Sequence, residues 1–168
     1  RYRRGAFLAD TGLCLVVQRQ TERVADCISE LAPMFARAFE EMGQFREKLV
    51  LSPDYARYVA ANDAGLLVLT TLRRDGVLIG YLTCTISPGL HHSRNRIAVM
   101  DIMNIDREAR GRGYIFRMML FLETELRERG ADLLICHYAA HKPLGFDRVL
   151  ARMGFSSTEM NMAKWIGI

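Results

Sequence analysis

The chain has 168 residues, half of them apolar and a quarter charged, with a formal net charge of +4 at neutral pH. That length suits one domain, read here over residues 1–168 with residues 1–11 flexible, burying roughly 70% of its unfolded surface. No apolar run approaches the ~18 residues of a membrane span, and no secretory pattern opens the chain, which excludes a membrane-spanning class.

Because the chain opens on Arg1, a true N-terminus upstream is expected, with any targeting signal outside the sequence. The densest basic clusters are Arg1/Arg3/Arg4, Arg94/Arg96 and Arg107/Arg110/Arg112, with acids interleaved almost everywhere else. A nucleic-acid binder concentrates them along one face, so that class is disfavoured. Cys14, Cys27, Cys84 and Cys136 form no CxxC pair, and three of them sit in apolar runs (LCLVV, YLTCTI, LLICHY). They read as small core hydrophobes in a reducing, cytoplasmic setting rather than as disulfides or a zinc site.

In chain order, Gly12–Gln18 reads as a first strand. From Glu22 the apolar positions Val24, Ile28, Leu31, Phe35, Ala38, Phe39 and Met42 take helical spacing up to Gly43. Pro33 inside that pattern predicts a kink or two shorter helices. Ser52-Pro53-Asp54 predicts a helix start with Ser52 as the cap, running to about Asn62. Leu66–Leu72 and Val77–Ile86 flank an Asp75-Gly76 turn and read as a hairpin. A polar loop over residues 90–96 (LHHSRNR) leads into a buried strand, Ile97–Ile105. Tyr114–Arg129 is amphipathic, with Ile115, Met118, Met119, Leu122 and Leu126 on one face. Leu133–His137 reads as a strand, Leu144–Met153 as a short helix, and Met160–Ile166 as a last strand. The strand–helix–strand unit over residues 97–137 is a right-handed crossover between parallel neighbours, and the hairpin before it is antiparallel, so the sheet is mixed. The fold class is α+β (mixed α/β).

The turn between strand and helix reads Arg110-Gly111-Arg112-Gly113-Tyr114-Ile115. Glycines let backbone approach an anion and adopt positive φ, and the helix start offers unpaired N–H groups and the positive end of its dipole. Two arginines add charge-assisted donors. This is chemistry for a phosphate, here the pyrophosphate of a nucleotide-bearing cofactor.

The segment resembles motif A of the GNAT family of acyl-CoA-dependent N-acetyltransferases, whose turn reads Arg/Gln-x-x-Gly-x-Gly/Ala. Arg110 and Gly113 match, while Ile115 stands where the family usually has Gly or Ala. Ile105-Asp106-Arg107-Glu108-Ala109-Arg110 is similar to the family's V-x-P-E-x-R, with Arg107 at the proline. Ala151-Arg152-Met153-Gly154-Phe155 resembles the family's "klGF" ending. The resemblance covers about residues 66–166, and the two N-terminal helical pieces match the family's substrate lid. The arrangement is also loosely similar to acetyltransferase-like proteins met in phage and plasmid genomes. It implies a mostly antiparallel sheet of about six to seven strands with a central parallel βαβ splay and flanking helices. It further implies that the backbone of Met103, Asn104 and Ile105 pairs with the pantetheine arm of acetyl-CoA (coenzyme A). Arg110, Gly111, Arg112, Gly113, Tyr114 and Ile115 would cradle its pyrophosphate.

Acyl transfer to an amine needs a proton acceptor and stabilisation of the oxyanion. Asp101, alone among apolar residues in AVMDIMNI, is the base candidate, and alternation puts it on one face with Val99, Met103 and Ile105. The competing role is a structural ion pair with Arg94, Arg96 or Lys164. His91 and His92, in the loop before the strand, could relay a proton or simply be solvated. They are not at metal-ligand spacing, and no metal is expected. The family's thiolate acid, a Tyr four residues before its Gly-Phe, corresponds to Leu150, and the family's Asn near the start of that helix corresponds to Leu144. Tyr138 and His137 substitute by location only, and Tyr138 is better suited to a core or surface aromatic. The expected partners are acetyl-CoA and an amine-bearing acceptor, small molecule or protein, with no membrane; a homodimer is compatible with the sequence. The alternative is a non-catalytic module of the same fold that binds acyl-CoA or a protein.

Overall fold

The computed structural model describes residues 16–42, 45, 47–89, 91–137, 145–158, 163, 164 and 166. Five strands and four helices are present among them: β1 Val17–Glu22, α1 Val24–Met42, α2 Tyr55–Asp63, β2 Leu67–Arg74, β3 Val77–Pro88, β4 Arg96–Ile105, α3 Tyr114–Glu128, β5 Leu133–Cys136 and α4 Phe146–Arg152. The strands lie in one sheet in the order β1-β2-β3-β4-β5. All neighbours are antiparallel except β4 and β5, which are parallel and joined through α3. The mixed α+β expectation holds, with five strands in place of six to seven. Most of the stretch 160–166, where a last strand was expected, and residues 12–15 lie outside the described residues.

Alternation along β2 and β3 sends side chains to both faces of the sheet, and both faces are covered. Val68, Leu72, Leu82, Cys84, Ala98 and Met100 meet Met118, Met119 and Leu122 of α3 and Leu150 of α4. Leu67, Leu69, Leu78 and Tyr81 meet Val24, Cys27, Leu31, Met34 and Phe35 of α1, with Tyr55 and Tyr58 of α2 at the margin. No helix among the described residues is long and apolar enough to cross a membrane.

Several local expectations are corrected. Pro33 does not divide α1, which is a single helix of 19 residues. Proline inside a helix costs about 3 kcal/mol. Yet Cys27 and Leu31 on one side of Pro33, and Met34, Phe35 and Ala38 on the other, are all buried. At about 1.5–3 kcal/mol per large apolar side chain, that shared face outweighs one lost bond. The cap of α2 is Asp54, not Ser52: its carboxylate accepts from the Arg57 N–H at 3.0 Å. The hairpin turn is Asp75-Gly76, with φ of 49° and 83°, the double positive φ of a tight two-residue turn.

The N-terminal half is tied to the sheet by one arginine. Arg73 on β2 donates to both oxygens of Glu22 on β1 (2.6 and 2.9 Å) and to both oxygens of Glu30 on α1 (2.8 and 2.7 Å). Thr71 and Cys27 also donate to Glu22. Burial alone would raise the Glu22 pKa, but the hydrogen bonds from Arg73, Cys27, Thr71 and Gln20 outweigh it and hold the carboxyl well below its ordinary range. Arg73 and Glu22 are only 12% and 15% exposed, so removing the cation strands a carboxylate. Arg73→Met is expected to lower unfolding free energy by about 3 kcal/mol in urea titrations. A carboxyl whose folded pKa is depressed stabilises fully above its unfolded value. The wild-type advantage should therefore shrink as pH falls below 4.5, the ordinary glutamate value.

Candidate functional site

The site is built where β4 parts from both neighbours' regular pairing. On the β3 side, Cys84 stands opposite Met100 and Thr83 opposite Ile102, so Asp101 is an extra residue with no counterpart, a β-bulge. On the β5 side, pairing runs only from Ile97–Leu133 to Met100–Cys136. Past Met100 the β4 edge has no strand beside it among the described residues. This is the expected splay, opening at Asp101.

The bulge also corrects the face assignment. Ala98 and Met100 pack under α3, and so do Met103 and Ile105, whereas Ile102 packs toward α1 and α2. One inserted residue shifts the parity, so Val99, Asp101, Met103 and Ile105 do not form one row.

Beyond β4 the chain makes one short helical turn, Arg107–Ala109, and then the glycine turn. Gly111 and Gly113 have φ of 78° and 71°, a left-handed conformation that costs other residues roughly 1–2 kcal/mol. The first helical bond of α3 runs from the Arg117 N–H to the Gly113 carbonyl at 3.2 Å. Among the described residues, the N–H groups of Gly111, Arg112, Gly113, Tyr114, Ile115 and Phe116 donate to no backbone carbonyl. Six consecutive N–H groups with no backbone partner among the described residues, at the positive end of a 15-residue helix dipole, are the donor set that suits an anion. Tyr114 is buried and Ile115 packs against the α3 core, so the β-branched residue sits in the first helical turn without blocking its N–H.

The two arginines of the turn divide their work. Arg110 points back into the protein: Nε donates to the Ile105 carbonyl at 2.8 Å, and Nη1 and Nη2 reach Glu41 of α1 at 2.5 and 2.9 Å. Nη2 also lies 3.4 Å from Asn104 Oδ1. The Arg110 hydrogen bonds hold the Glu41 carboxyl below the usual carboxylate range, against the burial that would raise it. Arg107 stands 3.7 Å from Glu41, and Arg37 pairs with Asp106 at 3.1 Å. Arg112 is exposed and makes no ion pair among the described residues, so it is the arginine available to an anion. A cleft of about 600 Å³ lies between the end of α1 and this turn, lined by Arg37, Glu40, Glu41, Asn104, Asp106, Arg107, Glu108 and Arg110.

Asp101 is exposed and makes neither a hydrogen bond nor an ion pair among the described residues. Arg96, its suggested partner, is engaged elsewhere: its N–H donates to Asp132 and its guanidinium to the Arg129 carbonyl. Asp101 does act on two phenols. Burial, and then its negative charge, push Tyr58 above the ordinary tyrosine value. Burial, Tyr58 and Asp101 do the same to Tyr81.

His92 is not brought to Asp101. It belongs to the loop before Arg96, where its N–H donates to the Gly89 carbonyl, and at about 3.3 Å per residue Arg96 already lies roughly 17 Å from Asp101 along β4. Tyr138 lies outside the described residues. Leu150, at the family's acid position, is buried in the core. Burial lifts the Cys84 and Cys136 thiols to about 12, the reverse of an activated nucleophile.

Sequence reasoning missed Glu41, Tyr58 and Tyr81. Glu41 lies 69 residues from Arg110 and gives no local signal. Tyr81, inside the apolar run GYLTCTI, could have been noticed as a hydroxyl in need of a partner.

The family model described as the acetyltransferase (GNAT) family matches residues 28–155. No curated protein sequence matches the chain. Among solved structures, a GCN5-related N-acetyltransferase from Ralstonia eutropha JMP134 is similar with a TM-score of 0.73 at 18% identity, over 90% of this chain and 100% of that one. A ribosomal-protein-alanine N-acetyltransferase from Brucella melitensis biovar Abortus 2308 gives 0.67 at 16%, over 90% and 100%. An acetyltransferase from Clostridium acetobutylicum, described as predicted and solved with acetyl-CoA, gives 0.66 at 16%, over 90% and 97%. At these identities the likeness is one of fold.

Gly113→Val should leave α3 helical by circular dichroism, because a Cβ there meets nothing within 4 Å, while the positive φ becomes strained. Affinity for an anionic ligand of the turn should drop at least about tenfold, read by calorimetry with coenzyme A.

Proposed function

The chain belongs to the GNAT acetyltransferase family, and from that premise we propose that it moves the acetyl group of acetyl-CoA to a primary amine by direct attack. The observation that carries the reading is the run of six unpartnered N–H groups, Gly111 to Phe116, beside a β4 edge left free beyond Met100. The first fits a pyrophosphate, and the second fits the amide-bearing arm of an extended ligand by strand addition. Enzymes of this family use acetyl-CoA as co-substrate, which supplies an activated thioester.

The chain's own residues supply binding, orientation and a proton acceptor. The N–H groups of the glycine turn and the exposed Arg112 hold the negative phosphates. Met103 offers its backbone at the free edge, while the Ile105 carbonyl on that edge is already used by Arg110 and the Asn104 backbone faces β3. Asp101, at the mouth of the splay and free of any ion pair among the described residues, takes the proton of the attacking amine. No acid is needed for the departing thiolate, because a thiol of ordinary pKa ~8.5 leaves readily as the anion. The core thiols take no part.

A non-catalytic acyl-CoA-binding module is favoured by one observation, the buried Leu150 at the family's acid position. The two readings separate in one experiment. Calorimetry with acetyl-CoA and with desulfo-CoA should show binding of both, and no heat with either rejects the assignment of the turn. Mass spectrometry of an amine pool incubated with protein and labelled acetyl-CoA should reveal an acetylated acceptor; binding without any product supports the module. Asp101→Asn should lower turnover at least tenfold while leaving acetyl-CoA affinity within about twofold. Unchanged turnover would return Asp101 to a structural role.

A further inference from the structure

Beneath α1 and α2, β3 carries two hydroxyls with unmet hydrogen bonds. Tyr81 and Thr83 are both 0% exposed, and neither the Tyr81 Oη nor the Thr83 Oγ1 has a partner among the described residues. Two residues apart on one strand, they project to the same face. Tyr81 stands opposite Asn104 and Thr83 opposite Ile102, the residue next to the Asp101 bulge. The Phe35 ring closes this region, 5.1 Å from the Tyr81 ring and 5.6 Å from that of Tyr58.

A buried hydroxyl left unpaired costs about 1–3 kcal/mol, and native proteins answer that cost with ordered water. An internal water needs two to four polar partners and apolar walls that keep it in place. Two orphan hydroxyls beside the Phe35–Tyr58 wall supply two such partners, and Asp101, whose charge acts on both phenols, supplies a third. An apolar pair at positions 81 and 83 would pack this face as well, so the hydroxyls call for a role.

We propose that Tyr81 and Thr83 hold an internal water against the Asp101 carboxylate and so act as positioning residues for the base. The Tyr81 O–H donates to the water. The water donates one hydrogen to Asp101 and the other to Thr83 Oγ1. When the amine attacks, its N–H bond breaks and an O–H bond forms on the Asp101 carboxylate. The exposed Asp101 then releases the proton to solvent. The catalytic meaning rests on the reading of Asp101 as the base; the water does not.

The groups facing Asp101 leave its titration legible. Tyr58 comes from α2 and Tyr81 and Cys84 from β3; Cys136 of β5 pairs with the preceding Met100, and Arg37 of α1 acts on Tyr81. The phenols are raised above their ordinary values and the two thiols to about 12, so none of them changes charge in the acid range.

The test is a carbon-13 NMR titration of the Asp101 carboxyl in the full chain, assigned with Asp101→Asn. A donor to the charged form lowers a carboxyl pKa. Tyr81→Phe and Thr83→Val should therefore each raise the Asp101 midpoint by about half a unit or more, and Thr83→Ser should restore it. Phe keeps the ring packed; should Tyr81→Phe fail to fold, the Thr83 pair carries the result. A midpoint that moves in neither variant overturns the proposal. With acetyl-CoA and an identified amine, kcat should fall in the two variants while acetyl-CoA affinity holds. A shifted midpoint in a protein that transfers no acetyl group keeps the water and rejects Asp101 as base.

Discussion

The structure depends on one strand residue that has no opposite number. Asp101 interrupts the β3–β4 ladder, and β5 stops pairing with β4 at Met100, one residue earlier. A regular strand at this place would be hydrogen-bonded on both edges and would carry its carboxylate into the sheet. The bulge instead turns the strand, at the point where its other edge has no strand beside it among the described residues, and leaves Asp101 exposed between two packed layers. Everything assigned to the site lies on one side or the other of that point. Under α3 are Met103, Ile105 and the anion turn, and toward α1 and α2 are Tyr58, Tyr81 and Thr83.

The glycine turn is held from outside its own sequence. Arg110 is fixed by the Ile105 carbonyl behind it and by Glu41 across the cleft, so the guanidinium braces the turn instead of reaching a ligand. Arg37–Asp106 and Arg107–Glu41 run between the same two elements. The exposed members of this set contribute little each, in the range of about 0–1 kcal/mol. The bidentate Arg110–Glu41 pair is half-buried and has better geometry, and it sets where α1 ends relative to the glycine turn. Because the proposed cradle consists of backbone N–H groups, its shape depends on φ at Gly111 and Gly113 more than on any side-chain charge.

Much of this was legible in the residue order. Two glycines between a buried strand and an amphipathic helix announced a turn with two positive φ angles, and the Asp75-Gly76 pair announced the hairpin. Both signals are local, because they come from backbone conformations that few residues tolerate. What escaped was non-local. The parity change at Asp101 has no mark in AVMDIMNI, since a bulge is decided by how β3 and β5 pair with the strand. Arg110 looked like a ligand to phosphate because its partner Glu41 is far away in the chain. Pro33 suggested a break that a buried face on both of its sides overrides. His92 looked close to Asp101 in sequence, yet its loop stands before Arg96, and five residues of extended strand separate Arg96 from Asp101.

The central claim is that a single ligand spans the glycine turn and the free edge of β4. Amide NMR of the full chain, titrated with desulfo-CoA, tests it residue by residue. The account predicts that the N–H signals of Gly111 to Phe116 and that of Met103 shift together along one saturable curve, while those of the β1–β2 strand pair stay in place. Shifts confined to one of the two regions, or none in either, would contradict it.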